Sequence, residues 1–297
     1  MTSSQLILSC PLCQSPLDIA EGQPARCENG HSFDRARQGY LNLLPAHHKK
    51  SKHPGDDSKM VEARTRFLDK GYYQPIADSL NATVSELCSN SLANPQNTDS
   101  ENDKVQIADV GCGEGYYSHQ LSQTLTKASI KHQLYAVDIS KDAIKAACRR
   151  TGKRSAPIHW LVASGGKLPL LANQLDLVVS LFTPVMPEGW KAALKPGGKV
   201  ILAIPNQHHL IELRKILYAE VKETSFDPSS QLEKQGFKKL TSELVQTEIS
   251  VDQQDLPSLL EMTPHGWRAT PEVQRSVMSM PVLETRIDVE LSCYQFL

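Results

Sequence analysis

Five short runs of apolar and β-branched residues, separated by segments of helix length, occupy the middle of the chain. They span residues 105–110, 133–138, 158–162, 175–181 and 199–204. Strands that alternate with helices in this way form a parallel sheet covered on both faces. Ser140, just after the second run, is placed to cap a helix over 143–150. The pattern therefore predicts a doubly wound α/β domain.

A glycine-rich loop follows the first predicted strand, with the sequence Asp-Val-Gly-Cys-Gly-Glu-Gly at 109–115. Glycines there, among them Gly111 and Gly113, let the chain turn tightly and let a ligand lie against bare peptide. Asp138 ends the second run, where a carboxylate can accept both hydroxyl hydrogens of a ribose. The loop lacks the third glycine of the pyrophosphate-binding pattern. It predicts a ligand that contains a nucleoside, although a turn without a ligand or a nicotinamide site stays open.

Residues 105–205 resemble the class I S-adenosylmethionine methyltransferases. The resemblance rests on the glycine loop, the acidic end of the second strand and Lys-Pro-Gly-Gly at 195–198. It implies a Rossmann-like fold and S-adenosylmethionine as the methyl donor. On this basis 105–297 is predicted to be the methyltransferase domain.

Three cysteines and one histidine near the N-terminus have the spacing Cys-x2-Cys-x13-Cys-x3-His. They are Cys10, Cys13, Cys27 and His31. Two bends, with Pro11 in one pair and Gly30 in the other, can each present two ligands, and thiolates with an imidazole suit Zn²⁺. Four protein ligands leave no open position, so a structural ion is expected in a zinc-ribbon-like module over 1–45. The alternative is a free thiol pair with a surface histidine.

Residues 46–104 are expected to form a basic connector, two helices and a polar surface insertion. Between 35 and 53 there are five Lys or Arg and three His, and no acid. Because the net charge of the chain is only -1, affinity for a polyanion must be local. Lys49, Lys50 and Lys52 are therefore predicted to contact RNA phosphates. A solvated linker is the alternative.

Segments spread over nearly the whole chain resemble the bacterial large-subunit (23S) ribosomal RNA guanine-N1 methyltransferases. They are Cys-Pro-Leu-Cys at 10–13, His-Ser-Phe-Asp at 31–34, Gly-Tyr-Leu-Asn-Leu-Leu-Pro at 39–45, His-Pro-Gly-Asp at 53–56, Gly-Glu-Gly-Tyr-Tyr at 113–117, Met-Thr-Pro at 262–264 and Trp-Arg-Ala at 267–269. The Pro-Gly-Asp segment is closer to the Gram-negative branch of the family than to the macrolide-resistance branch.

The family resemblance implies methylation of guanine N1 in a hairpin loop of 23S rRNA by a homodimer. A cytoplasmic location is expected because no run approaches the roughly 18 apolar residues that a membrane span requires. The family's donor contacts match Tyr73, Gly113, Glu114 and His209. Residues 181–184 keep only a proline and an aromatic neighbour of the family segment, which leaves the target-base contacts open.

Guanine N1 carries a proton that must leave during methylation, so the site needs a proton acceptor. The sequence does not identify it, and His208, just beyond the fifth strand, is the candidate. Tyr40, Phe182 and Trp267 are candidate stacking partners for an unpaired base. The alternative functions are methylation of another RNA or a small molecule, and RNA binding by an inactive zinc-dependent protein.

Overall fold

The main feature of the fold is an eight-stranded β-sheet. The structure is a computed structural model, which describes residues 6–20, 23–45, 54–92, 104–152, 157–221 and 226–297. The strands are β1 (Ala25–Arg26), β2 (Ser32–Phe33), β3 (Leu41–Asn42), β4 (Val105–Val110), β5 (His132–Asp138), β6 (Ile158–Val162), β7 (Leu175–Leu181), β8 (Leu194–Pro205), β9 (Phe237–Asp252) and β10 (Val282–Phe296). The helices are α1 (Ser58–Asp69), α2 (Gln74–Leu92), α3 (Tyr116–Lys127), α4 (Lys141–Thr151), α5 (Pro187–Lys191), α6 (Ile211–Leu217), α7 (Ser229–Lys234), α8 (Leu256–Met262) and α9 (Pro271–Met278).

The sheet order is β3-β6-β5-β4-β7-β8-β10-β9, with β1 and β2 paired separately. The six strands from β3 to β8 are parallel, whereas β10 runs antiparallel to both of its neighbours. The chain leaves β4 towards β5 and β6 and then returns to β7 on the other side of β4. Ligands of doubly wound sheets bind at such a reversal, beyond the carboxyl ends of the strands. All five strands predicted from sequence are present.

Alternate residues of the central strands enter two different cores. Leu134 and Ala136 of β5 pack with helices α1 to α4, whereas Tyr135 and Val137 pack on the opposite face. That second core includes Leu8 and other residues from the N-terminal 45. The predicted zinc module therefore covers one face of the sheet.

Hydrogen bonds tie this module to the sheet domain. The amide of Ser9 donates to Pro169 O at 2.9 Å, and the amide of Leu171 donates to Ile7 O at 2.8 Å. β3 adds a further parallel strand beside β6. The N-terminal residues are thus part of the same packed body as the sheet.

Helices α1 and α2 also contribute to the sheet's core, through Phe67, Ile76 and Leu80 among others. Asp57 caps α1 by accepting from Lys59 N and Met60 N. The boundaries 1–45, 46–104 and 105–297 stay a prediction. Lys49, Lys50 and Lys52 lie outside the described residues, as does most of the polar insertion.

Among the helices that the structure describes, none combines the length and the apolar character that a membrane span needs.

Candidate active site and zinc site

The glycine loop between β4 and α3 lies at the carboxyl edge of the sheet. Gly111, Gly113 and Gly115 all have positive φ, at 78°, 57° and 81°. A Cβ on Gly111 would lie 2.8 Å from Thr183, and one on Gly115 would lie 2.6 Å from Trp160. At Gly113 it would meet only Arg64 Nη1, at 3.8 Å. Gly111 and Gly115 are thus fixed by packing, whereas Gly113, although buried, has space on its Cβ side that is bounded by Arg64.

Asp138 holds the loop in place from the end of β5. Its carboxylate accepts from Gly113 N at 2.9 Å and from Ser140 N at 2.7 Å, through different oxygens. Burial raises the pKa of Asp138, and these two amides oppose the rise. Each carboxylate oxygen keeps a second lone pair, so the group can still accept two ribose hydroxyls. The structure therefore brings together the loop and the acid that sequence placed at one site.

Glu114 is buried in the same loop with an incomplete set of partners. Its side chain is 3% exposed, and its Oε1 lies 3.6 Å from Arg150 Nη2. Neither atom has a hydrogen-bond partner among the described residues. Burial raises the pKa of Glu114, and the charges of Arg64 and Arg150 oppose the rise. A buried acceptor without a donor fits a polar group supplied by a ligand.

Arg64 of α1 was not predicted as a site residue. It forms an ion pair with Asp56 and donates through Nη2 to Met262 O at 3.3 Å. Burial lowers the pKa of this guanidinium, but the charges of Asp56, Glu114 and Asp138 raise it overall. Arg64 thereby links α1, the glycine loop and the end of α8.

An aromatic cluster lies beside the loop. Tyr73 Oη is 3.1 Å from His209 Nε2, and the ring of Phe182 lies 5.9 Å and 6.0 Å from theirs. Phe182 is 39% exposed and has a φ of 56°. That left-handed backbone conformation is unusual for residues other than glycine and costs energy. Such strained conformations are common at functional sites.

The hydrogen bonds of His209 fix its protonation. Its Nδ1 accepts from Asp288 N at 3.3 Å. Burial is the main cause that lowers the pKa of His209 to about 4, so the ring is neutral at pH 7. The remaining proton is then on Nε2 and is donated to Tyr73 Oη. The hydroxyl proton of Tyr73 is left to bind another group.

His208 points its Nδ1 towards a buried acid. That atom lies 3.6 Å from Oδ2 of Asp288, which is fully buried, whereas the His208 side chain is 43% exposed. The amide nitrogen of Gln207 lies 3.5 Å from His208 Nε2. With a proton on Nδ1 facing Asp288, the lone pair of Nε2 accepts from Gln207 at this long distance, and Gln207 must move aside for His208 to act as a base. His208 is the candidate proton acceptor that was predicted from the sequence, whereas Asp288 was not predicted.

Of the three candidate stacking residues, the structure removes one. Tyr40 is 3% exposed and belongs to the core under α1 and α2, so the prediction for it is wrong. Phe182 and Trp267 remain exposed, at 39% and 67%.

The four predicted zinc ligands converge. Their ligand atoms lie within 4.8 Å of one another. Cys13 Sγ is 3.7 Å from Cys27 Sγ, and His31 Nδ1 is 3.6 Å and 3.4 Å from Cys10 Sγ and Cys27 Sγ. A tetrahedral ion with Zn–S bonds of about 2.3 Å places neighbouring sulfurs about 3.8 Å apart. The residues therefore fit a structural zinc, with His31 as ligand through Nδ1.

Family models match both parts of the chain. Residues 8–52 match the zinc ribbon described as RlmA, N-terminal, and residues 107–198 match a methyltransferase domain. A solved magnesium protoporphyrin IX methyltransferase from Synechocystis PCC 6803, with bound SAH, covers 81% of this chain and 95% of its own at 13% identity and a TM-score of 0.48.

Curated relatives match over most of their length. YxjB of Bacillus subtilis, whose name assigns it to the 23S rRNA (guanine-N1)-methyltransferases, is 31% identical over 95% of this chain and 94% of its own. The 23S rRNA (guanine(748)-N(1))-methyltransferase of Streptomyces fradiae is 29% identical over 92% and 91%. The predicted enzyme class, methyl donor and structural zinc are thereby confirmed. The chain belongs to the family of bacterial 23S ribosomal RNA (guanine-N1)-methyltransferases.

Proposed function

We propose that the chain transfers a methyl group from S-adenosylmethionine to N1 of a guanine in a hairpin loop of 23S rRNA. The observation that carries this is the near full-length similarity to relatives named for that reaction, which spans both the zinc module and the catalytic domain. Action on ribosomal RNA implies a cytoplasmic enzyme. The homodimer that the family resemblance implies stays a prediction.

The donor is proposed to lie along the glycine loop. Asp138 would accept from the ribose hydroxyls while the peptides at Gly111 and Gly113 lie against the donor. Oε1 of Glu114, which lies 3.6 Å from Arg150 Nη2 without a hydrogen bond, would accept from the amino group of S-adenosylmethionine. Tyr73, with its hydroxyl proton left available by His209, would add a further hydrogen bond. These six residues are the site that the sequence predicted.

S-adenosylmethionine supplies a methyl group bound to a positively charged sulfur, and the protein must hold the acceptor nitrogen in line with it. Phe182 offers an exposed ring beside Tyr73 and His209 for stacking on the guanine. As the bond from N1 to the methyl carbon forms, the bond from that carbon to the sulfur would break, its electron pair would stay on the sulfur, and the proton on N1 must leave. His208 is proposed to take it on Nε2, and the Asp288 carboxylate stabilises the imidazolium that results.

Purified full-length chain, unmodified 23S rRNA transcript and methyl-labelled S-adenosylmethionine test this function. After digestion to nucleosides, label is expected in 1-methylguanosine alone, at one per transcript. Label in another nucleoside, or none, contradicts the proposal. His208→Gln should lower kcat by about 10²- to 10⁴-fold and leave S-adenosylmethionine affinity unchanged. An unaltered kcat would remove His208 from the mechanism.

A further inference from the structure

One of the three tryptophans is exposed. Trp190 and Trp160 are buried in the cores, whereas Trp267 is 67% exposed. It lies in a short 3-10 helix, Gly266–Arg268, between α8 and α9. Isolated apolar residues on a surface are common, so exposure alone does not indicate a function for Trp267. An indication of function must come from the residues around its ring.

The backbone that carries Trp267 is held rigidly. A Cβ on Gly266 would lie 2.0 Å from Leu260 O, so only glycine allows this close approach to α8. From α9, Gln274 Nε2 donates to Gly266 O at 2.7 Å and to Ala269 O at 3.1 Å. The ring is therefore presented to solvent on a fixed support, which lowers the entropy lost when a partner stacks on it.

Two arginines lie near the turn. Arg268 is exposed next to Trp267. The pKa of His265 is lowered mainly by burial, and then by the charges of Arg214 and Arg268, which places both cations near it. Residues 263–269 contain no acid; the nearest along the chain are Glu261 and Glu272. An aromatic face beside an arginine is the combination that binds unpaired nucleotides, by stacking and by phosphate contact.

The turn is also joined to the active site. Met262 O accepts from Arg64 Nη2, and Arg64 Nη1 would lie 3.8 Å from a Cβ on Gly113. Trp267 lies five positions after Met262, a span of at most about 18 Å. The charge of His265 also acts on the pKa of His209, in the aromatic cluster. Trp267 is thus within reach of nucleotides that flank a guanine bound at the site.

We propose that Trp267 is a stacking platform for an unpaired base next to the target guanine, and that Arg268 contacts the adjoining phosphate. The inference rests on the proposed function, because it requires an RNA loop from which the guanine is splayed out. In this proposal the turn at Trp267 positions the RNA strand, and the glycine loop holds S-adenosylmethionine.

RNA binding by four variants of the full-length chain tests the platform, with unmodified 23S rRNA transcript as the probe. Trp267→Ala is expected to raise the Kd about 5- to 150-fold, the usual effect of removing one base stack, and Trp267→Phe to retain most of the affinity. Arg268→Gln should reduce the salt slope of binding by about 0.7. Leu244→Ala, also exposed at 52% but on β9, is the matched control and should change nothing. S-adenosylmethionine affinity should be equal in all four.

An unchanged Kd for Trp267→Ala, or no RNA binding by the parent chain, overturns the platform. So does a change in sedimentation mass without a change in RNA affinity, since the ring would then mediate contact between copies of the chain. Methylation is read separately. RNA binding that depends on Trp267 without formation of 1-methylguanosine would support the platform and contradict the proposed function.

Discussion

Replacement of Asp138 by alanine probes the proposed donor site most sharply. The carboxylate would accept from two ribose hydroxyls, and hydrogen bonds to a charged acceptor are worth about 1.5–3 kcal/mol. A loss of that size raises the Kd for S-adenosylmethionine by about 10- to 150-fold, since about 1.4 kcal/mol is a factor of ten. The variant also removes the acceptor of Gly113 N and Ser140 N, which loosens the loop itself.

A second variant separates these two effects. Asp138→Asn keeps an oxygen that can accept from one of the two amides but loses the charge. Isothermal titration with S-adenosylmethionine should show weaker binding by both variants, with more residual affinity in Asp138→Asn. The matched control is Asp142→Ala, which removes an acid from the neighbouring helix α4. The side chain of Asp142 is 44% exposed. Equal affinity of Asp138→Ala and the parent chain would refute the placement of the donor.

Three further predictions concern the zinc, the connector and a buried histidine. Cys13→Ser should reduce zinc below one per chain in metal analysis and lower the Tm, because the module shares a core with the sheet; full zinc content would contradict this. Replacing three lysines with glutamine should reduce the slope of log K against log salt concentration for RNA binding by roughly 0.7 for each phosphate that is no longer neutralised. Affinity for S-adenosylmethionine should not change. Equal slopes in the variant and the parent chain would mean that the connector does not bind RNA. The lysines are Lys49, Lys50 and Lys52. His209 has a pKa of about 4 when folded against an ordinary value of 6.5, so the stability from its neutral ring is complete above pH 6.5 and is lost as the pH falls towards 4. That loss is roughly 2 kcal/mol at pH 5. Between neutral pH and pH 5, the free energy of unfolding measured with denaturant should therefore fall by about this much less in His209→Gln than in the parent chain. An equal fall in both would contradict the reasoning.

The central strands and the glycine loop could be predicted because their signals are local. Glycines at positive φ, an acid at a strand end and runs of apolar residues can each be read within a few positions. The predicted fifth strand was short only because it began after Lys-Pro-Gly-Gly, whereas β8 starts at Leu194 and includes that segment.

The residues that sequence missed depend on distant partners. In the sequence, nothing distinguishes Arg64 from the other polar residues of α1. Glu114, which lies near it in the folded chain, is 50 positions further along the sequence. Asp288 did carry a signal, since it is an acid between Ile287 and Val289, and all three are buried. Recognising its role required knowing that β10 pairs with β8, which ends just before His208.

The long edge strand β9 was not predicted at all. Over 238–244 nearly all of its residues are exposed, so no alternation distinguishes that part from a loop. Val245, Ile249 and Val251, however, are buried and alternate with exposed polar residues, a strand pattern that was missed. β9 is a strand because it pairs with β10 along its whole length. The first half of β9 is therefore set by the partner strand and not by local preference.

The most direct test of the proposed reaction is the nucleoside content of 23S rRNA from cells that lack this chain. Mass spectrometry of the digested RNA should show one 1-methylguanosine fewer per molecule than in the parent cells. Expression of the chain should restore it, and expression of the Asp138→Ala variant should restore it poorly. An unchanged amount of 1-methylguanosine in the cells that lack the chain would contradict the proposed function.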